Sequence, residues 1–183
     1  MQNDRRGAYY RDRLREAGPR YESFDLPSAE LVLNLLYTYD LLLQSLGRLM
    51  AEYGLSKSTL NILMLLRHGP EEGMQLHDLG ELLLVSRANI TGLIDHLEKK
   101  GFVKRVVDVQ DRRARYARIT KKAEALLDEF MPVHYRRMKT LLQDLPASEK
   151  ESLLQLLQKV RTSITAHTVD GEREESISYP TVG

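Results

Sequence analysis

The stretch MQLHDLGELLLVSRANITGLIDHLEKKGFVKRV, residues 74–106, decides the fold. Leu76, Leu79, Leu82 and Leu83 make one apolar side of a short helix over Gln75 to about Leu84. Ile90, Leu93, Ile94 and Leu97 make one apolar side of the next, which Ser86 caps and Gly101 ends. Only LVS joins them, residues 84–86, and Gly80 stands where two helices can cross closely. Two short helices meeting at a large angle through a tight link form a helix-turn-helix.

The second helix has a distinctive outer face. Ser86, Arg87, Asn89, Thr91 and Asp95 are polar and gather toward its start. Arg makes paired hydrogen bonds to guanine and Asn to adenine. The free N–H groups of a helix N-terminus suit a phosphate. Ser86, Arg87, Asn89 and Thr91 are therefore expected in a DNA major groove.

Working outward, FVKRVVDV and RARYARIT read as two strands around an arginine-bearing turn. From Lys99 to Lys122 the bases are Lys99, Lys100, Lys104, Arg105, Arg112, Arg113, Arg115, Arg118, Lys121 and Lys122. The acids there are Asp108 and Asp111. The whole chain carries a formal net charge of only +1, so the positive charge is local and points to a polyanion docking at one place. A basic hairpin after the second helix is a wing, whose tip reaches a minor groove where A·T tracts concentrate negative potential. Arg112 and Arg113 are expected there. Asp111 is a poor DNA contact, since phosphate repels it; its expected role is to shape the turn by accepting internal bonds.

The rest is mostly helical. Residues 1–27 form a polar, basic extension with a short helix from about Tyr9 to Ala17, ended by Gly18-Pro19. Pro27-Ser28 opens a long helix to about Tyr53, with Ser28 as its cap. That helix is apolar on more than one face, so it needs more than one partner, one of which can be a second subunit. Ser56 caps a helix from Lys57 to His68. Thr120 caps another to about Leu145, which Pro132 should kink or interrupt. Ser148 and Glu151 match a capping box for a last helix to about Ala166, with Leu153, Leu154, Leu156, Leu157, Val160 and Ile164 as its buried side. Residues 167–183 read as an acidic, flexible tail.

Composition excludes several classes. There is no cysteine, hence no disulfide, thiolate metal site or cysteine redox sensor. No apolar run approaches the roughly 20 residues that span a bilayer, and the opening MQNDRRGAYY lacks the apolar region of a signal peptide. A cytoplasmic protein is expected. Nucleophile motifs, glycine-rich phosphate loops and metal-ligand clusters are missing, and the histidines are scattered without a His–His pair one helical turn apart. An enzyme, a metal and a cofactor are accordingly not expected.

Two motifs, LHDLGELLLVSRANITGLIDHLEKKGFVKR and DVQDRRARYARITKKAEALL, resemble the MarR family of bacterial regulators, over about residues 28–166. The resemblance implies a mainly α fold with a small β-hairpin wing: a winged helix-turn-helix lobe, about 56–120, beside dimerisation helices, about 28–53 and 121–166. It implies a homodimer bound to double-stranded DNA with a near-palindromic operator, recognition helices roughly 34–36 Å apart. It further implies a repressor released by a small anionic or phenolic ligand. Carried over by position, it places Arg113 in the minor groove, with Arg112 on a phosphate or second groove contact. Lys57, Ser58 and Gln75 fall on phosphates, and Tyr37, Tyr39, His68 and Arg87 line a ligand pocket. The chain departs from the family at Arg115, where an apolar residue is frequent, and at His96, where Arg is common. The alternatives are a winged-helix module that binds an acidic protein partner, or a non-specific architectural DNA binder.

Overall fold

The computed structural model describes residues 4–107 and 115–171, without the side chains of Val107, Arg115 and 168–171. The elements in chain order are α1 (Arg5–Ala17), a 3-10 turn (Gly18–Arg20), α2 (Leu26–Glu52), α3 (Lys57–His68), β1 (Met74–Gln75), α4 (Leu76–Leu83), α5 (Arg87–Lys99), β2 (Val103–Val107), β3 (Arg115–Ile119), α6 (Lys121–Leu141) and α7 (Ala147–Gly171). Two compact units divide the chain, Met1–Arg137 and Met138–Gly183. The fold is mainly helical with a small antiparallel sheet, and the winged helix-turn-helix is present in the first unit.

Local chemistry sets the lobe's boundaries. The Ser56 hydroxyl accepts from Thr59 N–H, and the Thr59 hydroxyl oxygen accepts from Ser56 N–H, a reciprocal box that starts α3. The Ser86 hydroxyl accepts from Asn89 N–H and starts α5. That helix ends with Gly101 at φ +72°, its N–H on the Glu98 carbonyl and the Phe102 N–H on the Leu97 carbonyl. This pair of bonds is the Schellman pattern, and it turns the chain directly into β2. At Gly80, a Cβ would lie 3.3 Å from the Val85 carbonyl oxygen and 3.7 Å from Ile90 Cγ2. The close α4–α5 crossing leaves little room there for a side chain.

The sheet order is β1-β3-β2. Strand β2 pairs with β3 from Val103↔Ile119 to Val107↔Arg115. The sequence reading misses β1, where Met74 pairs with Ala117 and Gln75 with Tyr116. Gly73 makes that approach possible: its φ is +106°, and a Cβ there would stand 2.5 Å from the Ala117 carbonyl oxygen. The core contains Ile62, Leu63, Leu79, Ile90, Ile94, Leu97, Val103, Leu127 and Phe130, each at most 2% exposed. Burying one such large side chain stabilises by about 1.5–3 kcal/mol.

Several expectations are corrected. Asp25, not Ser28, caps α2: its carboxylate accepts from Ser28 N–H at 2.9 Å, so Ser28 is already inside the helix. Hydrogen bonding from the Ser28 hydroxyl, and then from its main-chain N–H, holds the Asp25 carboxyl below its ordinary value. Both residue types make caps, and the helix begins at the earlier one. The Ser148–Glu151 box does not form, because α7 starts at Ala147 and Lys150 N–H bonds the Pro146 carbonyl. α6 runs through Pro132 as one helix and ends at Leu141, before the Leu145 read from sequence. α7 continues to Gly171, into the segment read as tail. On α7 taken by itself, Leu153, Leu154, Leu156 and Ile164 of the expected buried side are exposed, while Leu157 and Val160 are partly buried. Leu82 is exposed as well, although it shares α4 with buried Leu79. The α1 helix packs along α2. Arg6 pairs with Asp40 at 3.1 Å and lies over the Tyr37 ring at 4.6 Å, and Arg15 faces Glu30 at 3.7 Å.

Candidate nucleic-acid interface

The start of α5 is built to present side chains outward. Ile90, Ile94 and Leu97 anchor one face in the core. Arg87 and Asn89 project into solvent, with no hydrogen-bond partner for either side chain among the described residues. Thr91 is half-buried and its hydroxyl donates to the Arg87 carbonyl at 2.9 Å, so its methyl group and the hydroxyl's acceptor capacity remain unused by that bond. Ser86 uses its oxygen as the cap and keeps its own hydroxyl hydrogen. A guanidinium fork, a carboxamide and a methyl group at one helix start match the major-groove edges of guanine, adenine and thymine respectively. The structure thus gathers all four residues that the sequence singles out for this role.

The basic run splits into two kinds of residue. Lys100 Nζ donates to the Gly54 carbonyl at 2.8 Å, and Lys122 Nζ donates to the Lys100 carbonyl at 2.8 Å while lying over the Phe102 ring. These lysines hold the fold. Arg105, which sequence reasoning counts only as one more base, is the centre of a bonded cluster on β2. Its main-chain N–H donates to Glu98 Oε1 at 3.1 Å, its Nη1 to Glu98 Oε2 at 2.7 Å, and its Nη2 reaches Asp95. Partial burial alone would lower the Arg105 pKa; the Asp95 and Glu98 carboxylates more than offset this, so it lies above the usual arginine value. By contrast, Lys99, Lys104, Arg118 and Lys121 are exposed, and Lys104 and Arg118 face each other across the strands. Like charges in that register repel unless an anion lies over them. Asp111, Arg112 and Arg113 lie outside the described residues.

The phosphate candidates fare differently. Lys57 and Ser58 are exposed at the start of α3. Lys57 Nζ also donates to the Tyr39 hydroxyl at 3.0 Å, with the ring 4.9 Å away. Sequence reasoning assigns those two residues to different sites; the structure joins them. Gln75 is half-buried in β1 and its Nε2 donates to the Tyr116 hydroxyl at 3.0 Å, which engages the amide internally. Of the four pocket residues expected, only His68 lines a cavity with α4. This groove of about 530 Å³ is bounded by Asn61, Met64, Leu65, His68, Met74 and Leu82. Tyr37 and Tyr39 on α2 and Arg87 on α5 do not line it. Tyr37 sits under Arg6 instead, where desolvation and the Asp4 carboxylate raise its pKa. Among the described residues no three His, Asp or Glu side chains gather as a metal would require, and no helix is long and apolar enough to cross a membrane.

Known proteins resemble this chain in sequence and in fold. A family model described as MarR family matches residues 55–114. The chain is 28% identical over 144 residues to the HTH-type transcriptional repressor YetL of Bacillus subtilis, covering 79% of this chain and 86% of that protein. It is 32% identical over 142 residues to the uncharacterized HTH-type transcriptional regulator YkoM of the same organism, covering 75% and 90%. In fold it resembles Sco3205, a MarR family transcriptional regulator from Streptomyces coelicolor solved in complex with DNA. There the TM-score is 0.71 at 20% identity, covering 78% of this chain and 91% of that one.

Proposed function

Because the chain belongs to the MarR family of DNA-binding transcriptional regulators, we propose that it is a cytoplasmic homodimeric repressor of a near-palindromic operator, released by a small anionic or phenolic ligand. The observation that carries the DNA reading is the start of α5. An exposed Arg87 and Asn89 stand on a helix whose opposite face is fixed in the core. In this reading Ser86, Arg87, Asn89 and Thr91 read base edges, and Lys57 and Ser58 touch phosphate. Arg113 enters the minor groove, Arg112 supports it and Asp111 shapes the turn. Gln75 leaves the phosphate set, since its amide is held by Tyr116.

Dimerisation is supported by what α2 leaves uncovered. Val32, Leu36, Tyr39 and Leu43 recur at the spacing of a helix seam and are each at least 37% exposed. Farther along the same seam, Leu46 and Met50 join the lobe core. A contiguous apolar strip on a soluble chain marks an interaction surface, and a self-complementary pairing suits the two-fold symmetry of an operator. The groove beside His68 supports the ligand. Its volume lies within the roughly 300–1,000 Å³ of small-molecule sites. Because Leu82 and Leu83 of α4 form one wall, an occupant can bias the helix-turn-helix.

Selection of bound duplexes from a random pool, repeated at several salt concentrations, tests the reading. A near-palindrome with half-sites about one turn apart and a steep salt dependence is the expected result. Weak, sequence-blind binding would overturn it. Addition of salicylate as a phenolic probe should release the selected duplex from the native chain, and far less from His68→Leu.

A further inference from the structure

We propose that Arg105 is the positioning residue that sets the wing against the recognition helix, so that DNA contacts by the two depend on each other. This rests on the reading of α5 and the wing as the DNA-binding surfaces.

The bonds run to two different parts of the strand. Glu98 accepts from the main-chain N–H of Arg105 and also from its guanidinium. The first bond fixes the β2 backbone itself, not only a side chain. β2 is an outer strand of the sheet, so its outward N–H groups have no neighbouring strand; at Arg105 the helix supplies the acceptor instead. The second carboxylate, Asp95, lies three residues nearer the start of α5 and binds the other arm of the fork. Two acceptors a helical turn apart, joined to one planar guanidinium, restrain both the distance and the rotation of the strand relative to the helix. A lysine ammonium is a point charge on a flexible stem and lacks the fork that reaches both carboxylates.

Charge points the same way. Asp95 and Glu98 are acids on the recognition helix, where phosphate is expected close by. Arg105 holds them engaged with the wing stem. The Arg105 side chain is 25% exposed, so the net stability from the ion pairs is small, and geometry is the larger consequence. The Schellman turn at Gly101 joins α5 to β2 along the main chain. Arg105 closes the second connection, through side chains, on the strand that leads to the wing tip.

A double-mutant cycle on the selected duplex reads this coupling, using Arg105→Lys and Arg113→Ala in the full chain. In the native background Arg113→Ala should weaken binding about tenfold. In the Arg105→Lys background the same change should weaken it less than about threefold, because a misplaced wing has little contact left to lose. Equal factors in both backgrounds would leave the wing's role standing and remove only that of Arg105. Native-like affinity for Arg105→Lys alone would also overturn the proposal, since it would show that charge without the fork suffices. No effect of Arg113→Ala in the native chain would defeat the wing reading and the proposal with it. Glu98→Gln, which keeps an oxygen for the main-chain N–H but loses the charge, provides the same cycle if Arg105→Lys fails to fold by circular dichroism.

Discussion

The lobe around α3, α4 and α5 and the long helix α2 use the same residues to opposite effect. In the lobe, leucines and isoleucines at helical spacing close a core within one chain: Ile62, Leu63, Leu79 and Ile94 have no exposed surface. Along the first part of α2, Val32 and Leu36 at the same kind of spacing are 54% and 57% exposed. α7, by itself, leaves Leu154 64% exposed. Periodicity specifies that a face is to be buried. It does not specify which chain buries it.

The largest expected effect comes from breaking that contrast on the α2 side. Leu36→Asp would place a carboxylate in the proposed subunit interface, where desolvating an unpaired charge costs several kcal/mol. We expect a monomer in sedimentation velocity and operator binding at least about a hundredfold weaker, because two half-sites are no longer linked. An unchanged dimer would show that the Val32–Leu43 strip is not the interface. The counterpart inside the lobe is Leu63→Ala, expected to lower unfolding free energy by about 2–5 kcal/mol through lost transfer energy and a cavity. Here the damage should appear in chemical denaturation, with subunit association measured at low temperature retained.

The same contrast explains what could be read from sequence. Ser56, Ser86 and Gly101 were legible as helix ends because each acts on residues within one turn of itself. The exposure of Arg87 and Asn89 at the start of α5 was legible because it follows directly from the buried phase of Ile90, Ile94 and Leu97. β1 was not legible: it is two residues long and exists through a partner some forty positions away. Nor was the Arg105 cluster, since the chain must reverse at Gly101 before an arginine on a strand faces acids on the preceding helix. Ser28 and Ser148 misled for a local reason: a better-placed Asp25 or the Pro146 carbonyl begins the helix upstream.

A smaller effect sharpens the comparison within the lobe itself. Leu84 ends α4 in the left-handed region at φ +53° and is 93% exposed. Nothing among the described residues buries it, unlike Leu79 and Leu97 of the same helix-turn-helix. A non-glycine residue in that conformation costs roughly 1–2 kcal/mol. Leu84→Gly should relieve the steric cost, but it also frees the unfolded backbone, so the expected net gain is under about 1 kcal/mol. Thermal unfolding measures it. A lower melting temperature would mean that the Leu84 side chain makes a stabilising contact, and the subunit partner would be the first place to look for it.

The smallest expected effect lies where buried and exposed regions meet along α6. Ala123, Leu127, Phe130 and His134 form its buried stripe, and Met138, one turn further, is 39% exposed. His134 stacks on Phe130 at 4.9 Å, and its Nδ1 has no hydrogen-bond partner in the described structure. Burial therefore lowers its pKa from the ordinary 6.5. The unfolded chain then takes up a proton at a higher pH than the folded one. Stability contributed by neutral His134 is complete above about pH 6.5 and is lost as pH falls from there through the lowered folded value. His134→Phe keeps the ring stack and removes the titration. The native chain should lose more thermal stability between pH 7.5 and pH 5.5 than the variant does. Equal losses would mean that His134 is already bonded or solvated in the working assembly, and that the boundary between the two kinds of surface lies elsewhere on α6.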